Sequence, residues 1–191
     1  IVYGLLAVFA VVYVSPFVIQ LVTSLKTDTD AVNNPLRLLP NPFTTDAWRR
    51  LRDTDFPLWF LNSAIVTLVV TAGRVLFASM AGYALSRLHY RGRDAMFTAL
   101  LAVMAVPGVV LLIPKFLVLN DIGIYNTYAA LIVPLLVDAA GVFIMKQFFE
   151  QIPVSVEEAA RIDGAGPFRT FRSVILPMAK PALITVTILS F

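Results

Sequence analysis

Apolar runs long enough to cross a bilayer alternate along this chain with short polar connections. The first run, "IVYGLLAVFAVVYVSPFVIQLV" at residues 1–22, has no charged position and therefore no polar face. A spanning helix needs about 20 such residues. Comparable runs occupy about 58–85, 95–117, 127–149 and 179–191. The pattern predicts an all-α, polytopic membrane protein with about five spans. The first run is too long for a signal peptide and lacks a small-residue cleavage site before Lys26, so it reads as a span with Pro16 near its end. The last run of about 13 residues makes roughly 20 Å of helix, short of a ~30 Å hydrocarbon core. Protein is expected to continue past Phe191, and residues to precede Ile1.

The polar connections set the orientation. The first, "KTDTDAVNNPLRLLPNPFTTDAWRRLRDTDFP", is rich in the helix breakers Pro and Asn. Trp48 and Trp59 suit an interfacial aromatic belt. The second and fourth connections carry Arg87, Arg91, Arg93, Lys146, Arg161, Arg169, Arg172 and Lys180. The first and third carry Lys26, Arg37, Arg49, Arg50, Arg52 and Lys115. Positive residues collect on the cytoplasmic side, so the modest excess places connections two and four inside.

Composition agrees with a bilayer-embedded chain. Of 191 residues 59% are hydrophobic and only 14% charged, against about 25% charged in soluble domains. With no cysteine, disulfides and thiolate-ligated metal sites are excluded. The lone His89 lies among arginines in "SRLHYRGRD" and reads as a headgroup-facing or solvated side chain. The net charge of +3 is met by loop Lys and Arg, so no nucleic-acid partner is required. No G-x-x-x-x-G-K-[ST] loop and no catalytic constellation is present. The chain is therefore expected not to be an enzyme and to hold no cofactor or metal of its own.

Two ionisable residues fall inside spans, Arg74 in the second and Asp138 in the fourth. Each costs about 2.5–3.5 kcal/mol at a helix centre on insertion scales, so each should face protein or water. Either they pair across the bundle or line a polar pathway, or each separately snorkels or meets a partner subunit. Tyr13, Phe17, Phe77, Tyr83 and Phe116 raise a similar choice between lining a pathway through the bundle and simple packing.

The segment "EEAARIDGAGPFRTFRSVILPMAKPAL", Glu157 to Leu183, has a different character. Ser155 and Glu158 have the S-x-x-E spacing of a capping box, just after Pro153. Glu157 and Arg161 form an i,i+4 pair worth about 0.2–0.5 kcal/mol. Val156, Ala159 and Ala160 make a narrow small-residue stripe. Gly164 stops the helix, "GAGP" turns, and Pro167 opens a second helix with Phe168, Phe171 and Ile175 on one face. Pro177 and Pro181 end or kink it. A stubby charged helix at about 153–166 is thus held outside the membrane. It is either a docking knob for a basic partner or an interfacial elbow in which Glu158 serves only as the capping acid.

The same residues carry a resemblance. Glu158-Ala159-Ala160, three residues, Gly164, nine residues, then Val174-x-Leu176-Pro177 is similar to the EAA signature of ABC-importer transmembrane permease subunits, with valine in place of isoleucine at 174. "SLKT" at Ser24–Thr27, "LNS" at Leu61–Ser63, "AGYALSRLHYRGR" at Ala81–Arg93 and "IGIYNTYAALIVP" at Ile122–Pro134 resemble the sugar-uptake, maltose-permease-G-like branch. The resemblance covers nearly the whole chain.

It implies a type I ABC-importer permease fold in a bacterial inner membrane. The charged segment would then be a cytoplasmic coupling helix seated in a groove of an ATP-hydrolysing subunit. Glu158 would make the ion pair to that subunit, with Ala159, Ala160, Asp163 and Gly164 at the contact. Two ATP-binding subunits, a second homologous permease and an extracytoplasmic solute-binding protein would be the partners, and ATP would be bound by them rather than by this chain. A sixth span would follow Phe191. The implied function is import of a sugar or polyol by alternating access. The alternatives are a permease for an amino acid or peptide, an ion-driven secondary transporter, which a single Asp138 and no internal repeat disfavour, and a membrane scaffold with no pathway.

Overall fold

The computed structural model describes residues 2–191, which fold into helices joined by turns, with no strand among them. Two compact units divide it, residues 1–62 and 63–191.

In the first unit, α1 (Val2–Thr23) buries no residue. A helix apolar on every side and without a buried residue is suited to lipid. The Pro- and Asn-rich connection after it forms two short helices, α2 (Asp28–Asn33) and α3 (Asp46–Arg52). Thr27 caps α2 by accepting from the Asp30 amide. Lys26, only 3% exposed, donates to the Asn34 carbonyl at 2.6 Å. Buried Asp30 accepts from Asn34 Nδ2 at 3.0 Å and from the Asn41 amide at 3.4 Å. These bonds gather residues 26–41 into an ordered turn that the breaker residues alone do not disclose.

Arg50 grips Asp28 with two bonds of 2.7 and 2.8 Å. Its hydrogen bonds, and then its charge, hold the Asp28 carboxyl below the usual carboxylate value. The contribution of this pair is present above that usual value and is lost as pH falls through the lowered one. Both side chains are largely exposed, so salt screens the pair.

The helix α4 (Phe56–Arg87) begins in the first unit and from residue 63 organises the second; its 32 residues make about 48 Å at 1.5 Å per residue. The C-terminal half of α4 packs against α8 (Ala139–Gln151). The shared core contains Ala78, Tyr83 and Leu85 from α4, and Val142, Met145 and Phe149 from α8. Phe171, Ile175, Ala182 and Val186 join it from the end of the chain. Tyr83 is therefore a packing residue, its ring centroid 6.0 Å from that of Phe149 in an edge-on contact and 4.9 Å from that of Phe171 in a tilted one. Lys146 lies in this region too: it is 8% exposed, bonded to Glu150 at 2.7 Å and 4.0 Å over the Phe97 ring. Lys146 and Arg87, counted above as loop cations, are thus helix residues buried against protein.

The spans at 1–22, 58–85 and 127–149 correspond to Val2–Thr23, Phe56–Arg87 and Tyr128–Gln151, each long and apolar enough to cross a membrane. The 95–117 run is not one straight helix. α5 (Arg93–Met104) ends before Pro107, a 3-10 turn covers Gly108–Leu111, and α6 (Leu112–Asp121) follows at 93°. Pro107 has no amide hydrogen to continue the ladder. Within Tyr128–Gln151 a further interruption occurs: α7 (Tyr128–Ile132) passes through a 3-10 turn at Val133–Leu135 before α8 begins. The 179–191 run is α12 (Lys180–Ser190), bent by 78° from the helical stretch Pro167–Met178.

Candidate functional site

The charged segment folds as α9 (Val154–Ile162). It begins two residues earlier than the S-x-x-E spacing suggests. Pro153 occupies the N-cap and no side chain caps the end, so the expected Ser155–Glu158 capping box does not form. Glu158 is consequently free of a capping role. The other end is as the glycine predicts. Gly164 has φ +79°, the Ala165 amide bonds the Ala160 carbonyl at 2.9 Å, and the Gly164 amide bonds the Arg161 carbonyl at 3.0 Å. These are the two bonds of a Schellman motif. Gly164→Ala is expected to cost roughly 1–2 kcal/mol for a left-handed β-carbon, read as a fall in the thermal unfolding midpoint, while Gly164→Asn loses less.

Helical periodicity divides α9 into two faces. Glu157 is 3% exposed and Ala160 9%, and Val156 packs against the core beside them. Glu158, Ala159, Ile162, Asp163 and Gly164 are exposed. Of the residues placed at the partner contact from sequence, Ala160 therefore faces its own chain. The inward stripe is Val156, Glu157 and Ala160 rather than Val156, Ala159 and Ala160: Ala160 stands four residues from Val156 and three from Glu157 on one face, while Ala159 is exposed. The outward face adds an apolar side chain absent from the sequence-based set, Ile162, at 86% exposed.

Glu157 does not act mainly as the i,i+4 partner of Arg161, which stands at 3.9 Å and is largely exposed. Its nearer partner is Arg87 at the end of α4, with Nε 3.2 Å from Oε1 and side-chain exposures of 7% and 4%. The contact lies off the N–H direction, so neither atom has a directed hydrogen bond and charge attraction holds the pair. Arg87 Nη2 also donates to the Phe149 and Ile152 carbonyls, at the C-terminal end of α8. A cation there and an acid in the first turn of α9 both suit the helix dipoles. Arg87 thus ties together the ends of three helices. The only sequence signal for it was its place within "AGYALSRLHYRGR".

After the turn, α10 (Pro167–Thr170) runs into a π turn at Phe171–Ile175 and then α11 (Leu176–Met178). Pro177 lacks the amide that an α-helix would bond four residues back, and its ring crowds that carbonyl; the widened turn sits immediately before it. Phe171 and Ile175 are buried, and Phe168 is 70% exposed beside the outward face of α9 in sequence.

Arg74 and Asp138 form no ion pair with each other among the described residues. Arg74 Nε donates to the Leu135 carbonyl at 2.7 Å. Asp138 is the N-cap of α8 and accepts from the Gly141 amide at 2.9 Å. The two residues serve opposite sides of one break, between the 3-10 turn and α8. Non-helical backbone at membrane depth must find such partners within the protein.

These features define a polytopic helical membrane protein that presents a short, glycine-capped helix between its apolar segments. Residues 74–191 match the family described as the binding-protein-dependent transport system inner membrane component, and the chain belongs to that family. It is 35% identical over 188 residues to the polygalacturonan/rhamnogalacturonan transport system permease protein YtcP of Bacillus subtilis, covering 98% of this chain and 65% of that protein. It is 35% identical to the trehalose transport system permease protein SugB of Mycobacterium tuberculosis, over 81% of this chain and 58% of SugB. The fold is shared with a crystal structure of a bacterial ABC transporter involved in the import of the acidic polysaccharide alginate, at TM-score 0.85 and 28% identity, over 98% of this chain and 67% of the other. The chain spans about two thirds of the length of the relative YtcP.

Proposed function

We propose that the chain acts as the transmembrane permease component of a binding-protein-dependent ABC importer for a carbohydrate. The observation that carries this reading is the outward face of α9, where Glu158, Ala159, Ile162 and Asp163 stand exposed on a helix whose other face is anchored by Glu157. An acidic, partly apolar knob held firmly at its base is the form a docking element needs when force is to pass through it. α9 lies on the cytoplasmic side and seats in a groove of an ATP-hydrolysing subunit. A basic side chain there meets Glu158, and Ile162 supplies the apolar anchor. Two such subunits, a second homologous permease and an extracytoplasmic binding protein complete the transporter. Nucleotide binding biases the pathway between two states, as a ligand must do to shift an equilibrium.

Carbohydrate as the solute class is supported by the names of these relatives, which refer to polygalacturonan/rhamnogalacturonan transport, trehalose transport and alginate import. Solute-stimulated ATP hydrolysis by the reconstituted complex, screened over neutral and acidic oligosaccharides, tests it. Stimulation by amino acids or peptides alone would contradict the carbohydrate assignment.

Glu158→Lys tests the docking face. The variant is expected to insert in the membrane at wild-type level, to lose the ATP-hydrolysing subunits on purification, and to import solute at least about tenfold more slowly, the effect of about 1.4 kcal/mol. Full uptake with an intact purified complex would remove α9 from the contact.

A further inference from the structure

We propose that Arg87 is a positioning residue that makes α4, α8 and α9 move as one body, delivering any displacement of α9 to the interrupted backbone near Leu135. This rests on the importer reading above. Three links support it. At the lower end of the body, Arg87 holds the Phe149 and Ile152 carbonyls of α8 while its Nε stands 3.2 Å from Glu157 of α9. Both charged side chains are almost fully buried, so mobile ions and water screen them little.

In the middle, Gly82 lets α4 approach so closely that a β-carbon there would lie 2.7 Å from Met145 Cβ and 2.9 Å from the Lys146 amide nitrogen. Two backbones in such contact have no slack through which a push can dissipate. At the upper end, Arg74 Nε bonds the Leu135 carbonyl at 2.7 Å. α4 therefore grips the end of α8 and the turn that precedes it, and α9 is fastened to the same grip. The break between Leu135 and Asp138 is the place where that body meets backbone not locked into a helix.

The test uses the complete transporter in proteoliposomes, with both permeases, the ATP-hydrolysing subunits and the binding protein. Glu157→Gln keeps the size of the side chain and removes its charge. The ATP hydrolysed per solute imported is expected to rise about tenfold, within the 5–150-fold span of typical couplings. An unchanged ratio in an intact complex would overturn the clamp and leave the importer reading standing. Failure of the unsubstituted chain to retain ATP-hydrolysing subunits would overturn the importer reading itself.

A second measurement needs no change at the clamp. Spin labels replace exposed Met80 on α4 and exposed Val154 at the start of α9, and the full complex is compared without nucleotide and with ATP trapped. The label-to-label distance is expected to be the same in both states. A changed distance would show α9 sliding on α4 and would overturn the proposal even if Glu157→Gln failed to assemble.

Discussion

Replacing Arg87 by Met is expected to lower the unfolding free energy by about 3–5 kcal/mol, the usual cost of removing one partner from a buried ion pair. Glu157 would be left 3% exposed, with only the distant Arg161 at 3.9 Å to answer its charge. The carbonyls of Phe149 and Ile152 would also lose their donor. Unfolding in a denaturing-detergent titration, monitored by circular dichroism, checks the expectation. The double variant Arg87→Met with Glu157→Leu should recover much of the loss, since apolar replacement of a whole buried pair is often neutral or stabilising. A cost for Arg87→Met below about 1 kcal/mol, the range of exposed pairs, would mean that the pair is solvated. Glu157→Ala belongs to the same prediction. Judged as an i,i+4 pair with Arg161 it would be mild, but its burial against Arg87 makes it severe.

Replacing Gly82 by Val is expected to cost at least about 1–3 kcal/mol, the penalty for overpacking a core, because one obstructing atom is the backbone nitrogen of Lys146 at 2.9 Å. Backbone cannot swing aside as a side-chain tip can. Gly4→Ala in α1 is the control: no atom lies within 4 Å of its added β-carbon. In a helix interior that change should be neutral or stabilising by up to about 1 kcal/mol. The same detergent titration separates the two. Equal midpoints for Gly82→Val and the wild type would show that α4 and α8 are not held at the observed distance.

The apolar helices and most of the exposed face of α9 were legible in sequence because their signals are local. A run of about 20 apolar residues declares itself without reference to any other part of the chain, as α1 and α4 do. Glu158, Ala159, Asp163 and Gly164 lie within a few residues of one another, and Gly164 marks the stop by its freedom to take φ +79°. Capping was less secure: S-x-x-E describes a possible bond, and here Pro153 starts the helix without one. The break in the 95–117 run was foreshadowed by Pro107, but a proline in an apolar run is compatible with a kinked span as well as with a 93° bend.

The sequence by itself determined that this is a helical membrane chain with a charged, glycine-stopped helix near its end, since hydropathy and turn chemistry act over one helix length. Only the tertiary structure decided that Arg87 rather than Arg161 or solvent takes the carboxylate of Glu157, that Ala160 turns inward, and that Arg74 and Asp138 serve one break without meeting. Each of those outcomes depends on which helix ends converge. Convergence is set by packing of α4 on α8 around Gly82, a contact between segments far apart in the chain that no local pattern encodes.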